Sequence, residues 1–409
     1  MGDAGVLTNV AVAASEGRIA AIGARKDLER AYQNARVIDC QGGVLTPGLV
    51  DSHTHAVFGK PRFEEQELRA RGHDYMEIAR AGGGIHASVR DFRERGEQEL
   101  YDLAVPRLTR LASYGTTTVE IKSGYGLSVD DELKALSVIG RVAGDLPMRV
   151  VATWLGAHEI PREYRTSEER RAEFLELLVS EILPRVAEQG IARFSDVFCE
   201  PGVFSLEETR RILETSRAAG LALKMHADEL EPCGGAQLAA ALGAASADHL
   251  AAISGEGISA LAKSDTVATL LPGTMLFLGK PRQAPARALI DAGAAVALAT
   301  DFNPGTSPTV NFPLMLTLGM SQLRMTVAEV MIAATVNGAA ALGLAGETGQ
   351  LAPGFAADLA LFDIGDVREL PYWYGARLCV GSWRAGVPCH PYESGSKLNH
   401  PRPEASSPR

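Results

Sequence analysis

The chain has 409 residues, 46% of them hydrophobic, so it can bury a large core and is too long for one small domain. Its formal net charge of −10 leaves no basic stripe for phosphates, which argues against nucleic acid as a partner and suits a protein handling small molecules. The five cysteines, Cys40, Cys199, Cys233, Cys379 and Cys389, are scattered and form no C-x-x-C pair, so no disulfide framework is expected and a reducing, cytoplasmic compartment is.

The first 46 residues read as short strands broken by turns, VAVAASEGRIAAIGA and then ARVIDCQGGVLTPG. Nothing here resembles a signal peptide, and no apolar run in the chain reaches the roughly 18 residues of a membrane helix. From residue 47 to 345 strand-like runs alternate with helical patterns. The candidate strands are LVDSHTH (49–55), TTTVEIKSGYG (116–126), RVVATWLGAH (149–158), FSDVFCE (194–200), LALKMHADE (221–229), ASADHL (245–250), DTVATLLPG (265–273) and AVALATDFNPG (295–305). Between them lie segments such as SLEETRRILETSRAAG (205–220), with a Ser N-cap and a closing Gly, and a charged amphipathic helix over 162–186. Eight strands alternating with helices predict an α/β fold, a closed (β/α)8 TIM-like barrel. Residues 346–392 return to short strands, and they are expected to join the first 46 in one small β-sandwich built from both termini. The polar Ser/Pro-rich stretch 393–409 reads as a flexible tail.

Barrels of this kind carry their chemistry at the C-terminal strand ends. There the sequence places His53 and His55, Lys122 and Tyr125, His158, then His226, Asp228 and Glu229, then Asp248 and His249, and finally Asp301 and Asn303. Five of the nine histidines fall on these tips. Residues two apart in a strand project to the same side, so His53 and His55 can reach one ion together. With His226 and Asp301 they make an N,N,N,O set that suits zinc or iron, and such an ion acidifies a bound water. Each residue alone has an ordinary alternative, since an H-x-H pair is often structural and Asp301 could cap a helix. Their joint occurrence at successive strand tips favours the metal site.

TPGLVDSHTH (46–55), KMHADE (224–229) and ATDFNPG (299–305) together resemble the amidohydrolase superfamily. Within it HAVFGKPR (55–62), YMEIARAGGGI (75–85), VEIKSGYGL (119–127), LGAHEIP (155–161), DVFCEPGVF (196–204) and TDFNPGT (300–306) are similar to the imidazolonepropionase family. The resemblance implies a metal-dependent hydrolase that opens 4-imidazolone-5-propanoate to N-formimino-L-glutamate in histidine degradation. It implies metal ligands at His53, His55, His226 and Asp301. Substrate contacts are implied at Arg62, Tyr75, Tyr125, His158, Glu229, His249, Asn303, Gly305 and Thr306. Arg62 offers a fork for the substrate carboxylate, and donors of Gly305 and Thr306 could serve the same end. Glu229 or His249 would act as base, with Asp301 as ligand and proton shuttle. Strand four, DVFCEPG, lacks the lysine that bridges two metals in some members, so one divalent ion, zinc or iron, is expected; Glu200 would be a supporting carboxylate. The family also implies a homodimer. The alternatives are an amidohydrolase acting on another cyclic amide or aminated heterocycle, and a non-catalytic metal or ligand binder.

Overall fold

The computed structural model describes residues 4–73, 77–78 and 82–392; Tyr75 and the tail 393–409 lie outside them. Three strands, β1 (Val10–Ser15), β2 (Arg18–Ala24) and β3 (Val44–Pro47), precede a run of eight. Those eight are β4 (Leu49–Asp51), β5 (Thr116–Lys122), β6 (Arg149–Ala157), β7 (Phe194–Cys199), β8 (Ala222–Ala227), β9 (Ser246–His249), β10 (Val267–Leu270) and β11 (Val296–Leu298). The last three are β12 (Leu359–Phe362), β13 (Cys379–Arg384) and β14 (Val387–His390).

β4 to β11 form one parallel sheet in chain order. Its first and last strands meet just beyond their ends, where Thr54 bridges Phe302, Asp301 N donates to His53 O at 3.0 Å and His55 N to Phe302 O at 2.9 Å. That seam closes the barrel at its C-terminal rim and sets His53, His55 and Asp301 side by side. Strands covered on both faces should be apolar throughout, and β5 is indeed fully buried along its length. It nevertheless carries Glu120 and Lys122, both at 0% exposure. Buried charges of this kind persist only when paired.

Outside the barrel, the helix Leu206–Ala218 begins at Ser205 with a reciprocal capping box to Glu208, as its sequence predicts. The helix expected over 162–186 is broken instead. A 3-10 turn, Arg162–Tyr164, comes first, then an α-segment Glu168–Leu177 capped by Ser167, a π-turn Leu178–Ile182 and a final helix Leu183–Gln189. Pro184, at the start of that last helix, has no amide to give, and the ladder resets around it.

The terminal strands divide between two antiparallel sheets. β3 pairs with β12 from Val44↔Phe362 to Pro47↔Leu359, and β13 and β14 extend that four-stranded sheet, so both ends of the chain contribute to it as expected. β1 and β2 form a separate hairpin, tied to the C-terminal region by Ile19 N to Phe355 O at 2.8 Å and Ala357 N to Gly17 O at 2.9 Å. Gly115, at φ +100°, joins barrel to sheet; a Cβ there would stand 2.8 Å from the Phe362 ring. No described helix is long and apolar enough to cross a membrane.

Candidate active site

The rim of the barrel gathers the histidines that the sequence places on strand ends. His53 Nε2 lies 3.3 Å from His55 Nε2, and Asp301 Oδ1 faces both, at 3.6 and 3.5 Å. His226 sits beside them, its ring centroid 4.5 Å from that of His53. Donor atoms of His53, His55 and Asp301 fall within 4.8 Å of one another; His226 forms such groups with His53 and His249, and with His55 and His158. The chain turns sharply to deliver these side chains: Asp228, His249, Leu250 and Asp301 have φ of 48°, 76°, 61° and 51°. Left-handed backbone at non-glycine residues costs about 1–3 kcal/mol each and collects at functional sites.

Two aspartates decide which ring nitrogens are available. Asp248 Oδ2 accepts from His53 Nδ1 at 2.6 Å, and Asp196 Oδ1 from His226 Nδ1 at 3.0 Å. With the proton held on Nδ1, each Nε2 presents a lone pair to the cluster. Burial, with Lys122 next, keeps His53 neutral well below its usual range; burial and His158 do the same for His55. Burial pushes the Asp301 carboxyl up to about 6, although Thr274 donates to its Oδ2 at 2.6 Å. Lone pairs of neutral imidazoles thus converge with a carboxylate in a dry pocket. That arrangement fits a cation.

Around this cluster stand further titratable groups. Glu229 Oε2 lies 3.4 Å from His249 Nδ1. Burial, then the charges of Asp301 and Glu200, holds the Glu229 carboxyl well above its usual range, and burial keeps His249 neutral. His158 stacks on His55 at 5.0 Å, donates from Nδ1 to Gly124 O at 3.0 Å, and is pushed down to about 3, first by burial. Tyr125 is buried, its ring 6.0 Å from His55 and 5.6 Å from His158.

Three buried carboxylates fix the loops that carry these groups. Glu132 accepts from Ser123 Oγ at 2.6 Å and from the amides of Gly124, Gly126 and Leu127 at 3.2, 2.9 and 3.0 Å. Glu200 takes the amides of Glu229, Leu230 and Glu231, and Asp228 those of residues 233–236. Glu200 is therefore the supporting carboxylate the sequence suggests. The Cys233 thiol turns to Asp228 and to Cys199 O rather than to the histidines.

Arg62 is nearly buried, 3.3 Å from Glu65 and 3.2 Å from Ser88 Oγ, with its guanidinium packed on Gly305, where a Cβ would meet it at 1.5 Å. The neighbouring loop differs from the sequence expectation. The amides of Gly305 and Thr306 donate to Asn303 Oδ1 at 2.9 and 2.8 Å, so they are engaged within the loop instead of facing a ligand. Asn303 Nδ2 in turn donates to Asp301 O and Thr306 Oγ1. Asn303 shapes the turn that carries Asp301. Sequence reasoning passed over Asp196, Glu120, Lys224, Thr274 and Glu132. The signal for some was present, because Glu120/Lys122 and Lys224/His226 are polar pairs two apart inside otherwise apolar strands.

The fold and this rim define a barrel hydrolase, and the amidohydrolase family model matches residues 60–388. Solved structures agree on the fold: the adenosine deaminase from Xanthomonas campestris superposes with TM-score 0.71 at 19% identity, covering 94% of this chain and 89% of that one. The 5-methylcytosine deaminase from Klebsiella pneumoniae gives 0.72 at 19%, covering 96% and 97%. Among curated proteins, the imidazolonepropionase of Geobacillus kaustophilus is 46% identical over 379 residues, 92% of this chain and 88% of that one. That of Symbiobacterium thermophilum is 47% identical over the same length and coverage. The chain belongs to the imidazolonepropionase family of amidohydrolases, and it is a metal-dependent hydrolase.

Proposed function

We propose that this enzyme hydrolyses 4-imidazolone-5-propanoate to N-formimino-L-glutamate, the ring-opening step of histidine degradation. The observation that carries the reading is the convergence of His53 Nε2, His55 Nε2 and Asp301 Oδ1 beside the Glu229–His249 pair. His53, His55, His226 and Asp301 would hold one ion, zinc or iron. When bound, that ion supplies a water acidic enough to act as nucleophile near neutral pH, and polarises a carbonyl.

The remaining work belongs to the protein. Water adds to the ring carbonyl carbon, the bond from that carbon to the ring nitrogen breaks, and the nitrogen leaves with a proton. Glu229 and His249, 3.4 Å apart, would take the proton that the adding water loses; burial lifts the Glu229 carboxyl above its usual range, which strengthens it as a base, and keeps His249 neutral. Asp301, which faces both His53 and His55, would return that proton to the departing nitrogen. Arg62 would take the propanoate carboxylate, and Tyr125 and His158 would flank the ring. Tyr75, Asn303, Gly305 and Thr306 complete the proposed contacts, the last three through the turn they build. We take residues 47–345 as the catalytic barrel, with 1–46 and 346–392 supplying the terminal sheets. A cytoplasmic homodimer fits the five free cysteines and the exposed Tyr372 and Tyr374.

The test is a turnover panel on metal-loaded protein with 4-imidazolone-5-propanoate, hydantoin-5-propanoate and aminopurines. Ring opening of the first, with little or no turnover of the others, is expected. Selective deamination of an aminopurine would overturn the assignment.

A further inference from the structure

Beneath the rim lies a group of buried charges, of which only Asp196 and Asp248 have a role in the site described above. Lys122 Nζ is 2.7 Å from Asp196 Oδ2, 2.9 Å from Glu120 Oε2 and 3.6 Å from Asp248 Oδ2. Lys224 Nζ is 2.9 Å from Glu120 Oε2 and donates to Ser52 O at 2.8 Å. All five side chains are fully buried. They come from four strands, β5, β7, β8 and β9, so they tie the cylinder together across its axis.

The way the oxygens are shared matters more than the number of charges. Asp196 gives Oδ1 to His226, through both its Nδ1 and its amide, and Oδ2 to Lys122. Asp248 gives Oδ2 to His53 Nδ1, with Lys122 Nζ 3.6 Å and Lys224 Nζ 3.8 Å from the same oxygen. One ammonium therefore touches both carboxylates that orient His53 and His226. Without Lys122, Asp196 would lose the cation on its Oδ2 and Asp248 would keep only the more distant Lys224, so both carboxylates would turn toward other donors and their histidines with them. Three anions already occupy the Lys122 ammonium, so it serves as a cation.

We infer that Lys122 is a positioning residue for the metal site, setting the Nε2 atoms of His53 and His226 at once through Asp248 and Asp196. The inference rests on the reading of those histidines as ligands. It would make β5, which supplies none of the four ligands, a determinant of metal affinity.

The experiment measures Zn2+ affinity by chelator competition on the full chain, beside thermal stability, for wild type, Lys122→Met and Lys122→Met/Glu120→Gln. The double variant removes one charge of each sign and leaves the net charge of the group unchanged. Both are expected to bind Zn2+ about 10–100-fold more weakly, the scale set by groups that orient metal ligands. The Co2+-loaded variants are expected to show shifted d–d absorption, which a loss of stability alone would not produce. Wild-type affinity and an unshifted spectrum in either folded variant would overturn the assignment. So would failure of both variants to fold, which would make Lys122 a stability residue. A wild-type chain that holds no ion would instead sink the underlying functional reading, and the assignment with it.

Discussion

The barrel rim and the terminal sheets are built on opposite principles. At the rim, specificity lies in side chains: His53, His226, Asp196, Asp248 and Lys122 are buried and bound to one another across strands. In the terminal sheets it lies in backbone ladders such as β3 with β12, and large apolar residues including Val10 and Val387 stay exposed. A backbone ladder accepts many side chains, whereas a network of buried charges accepts few. Damage to the two regions should therefore appear in different measurements.

The largest effect is expected from Asp301→Ala, which removes an acceptor facing both His53 and His55. Its kcat/KM should fall at least about 10⁴-fold, about 5.5 kcal/mol, with little change in Tm. Phe362→Ala inverts the pattern. This fully buried ring packs on Gly115, and its loss should cost about 3–5 kcal/mol in denaturant unfolding while steady-state kcat/KM holds. Comparable losses of rate and stability in either variant would erase the contrast.

Glu132→Ala sharpens it. Without the carboxylate the amides of Gly124, Gly126 and Leu127 lose their shared acceptor, disturbing the loop that carries Tyr125 and receives His158. A fall of about 10–100-fold in kcat/KM is expected at saturating metal, because small misplacements of a binding group are costly. Unchanged kinetics would detach that loop from the site.

The smallest effect lies outside both regions. Glu329 is pushed down to about 2, chiefly by its hydrogen bond to Arg287, and it caps its own helix through Thr326. A depressed folded-state value means that the contribution is complete above the unfolded value near 4.3 and fades as pH falls toward 2. Glu329→Gln should therefore cost about 1 kcal/mol at neutral pH, after allowance for screening at the partly exposed Arg287. In pH-dependent unfolding the two curves should merge at the acid end; a gap that persists at pH 2 would rule out this cause.

Much of the rim could be read in the sequence because its residues are expensive. A histidine or aspartate at the end of an apolar run needs a reason, and five histidines at the ends of four runs need a common one. The strand count was legible for the same reason, since hydrophobic periodicity is a strong local signal. What stayed hidden depends on register between distant segments. Asp196 meets His226 because the neighbouring strands β7 and β8 align as they do, and Asp248 on β9 meets His53, just beyond β4, only across the closed barrel. The Asn303 turn was hidden differently: nothing in TDFNPGT says that its amides close on Asn303 Oδ1. The division of the terminal strands into two sheets was likewise set by pairings hundreds of residues apart.

One titration bears on the whole account. The chain would be stripped with a chelator and reloaded stepwise with Zn2+ or Fe2+, following bound ion by atomic emission and ring opening by absorbance. Turnover should vanish on stripping and return in proportion to loading, reaching its plateau at one ion per chain. Full turnover by the stripped protein, or a plateau unrelated to that stoichiometry, would contradict it.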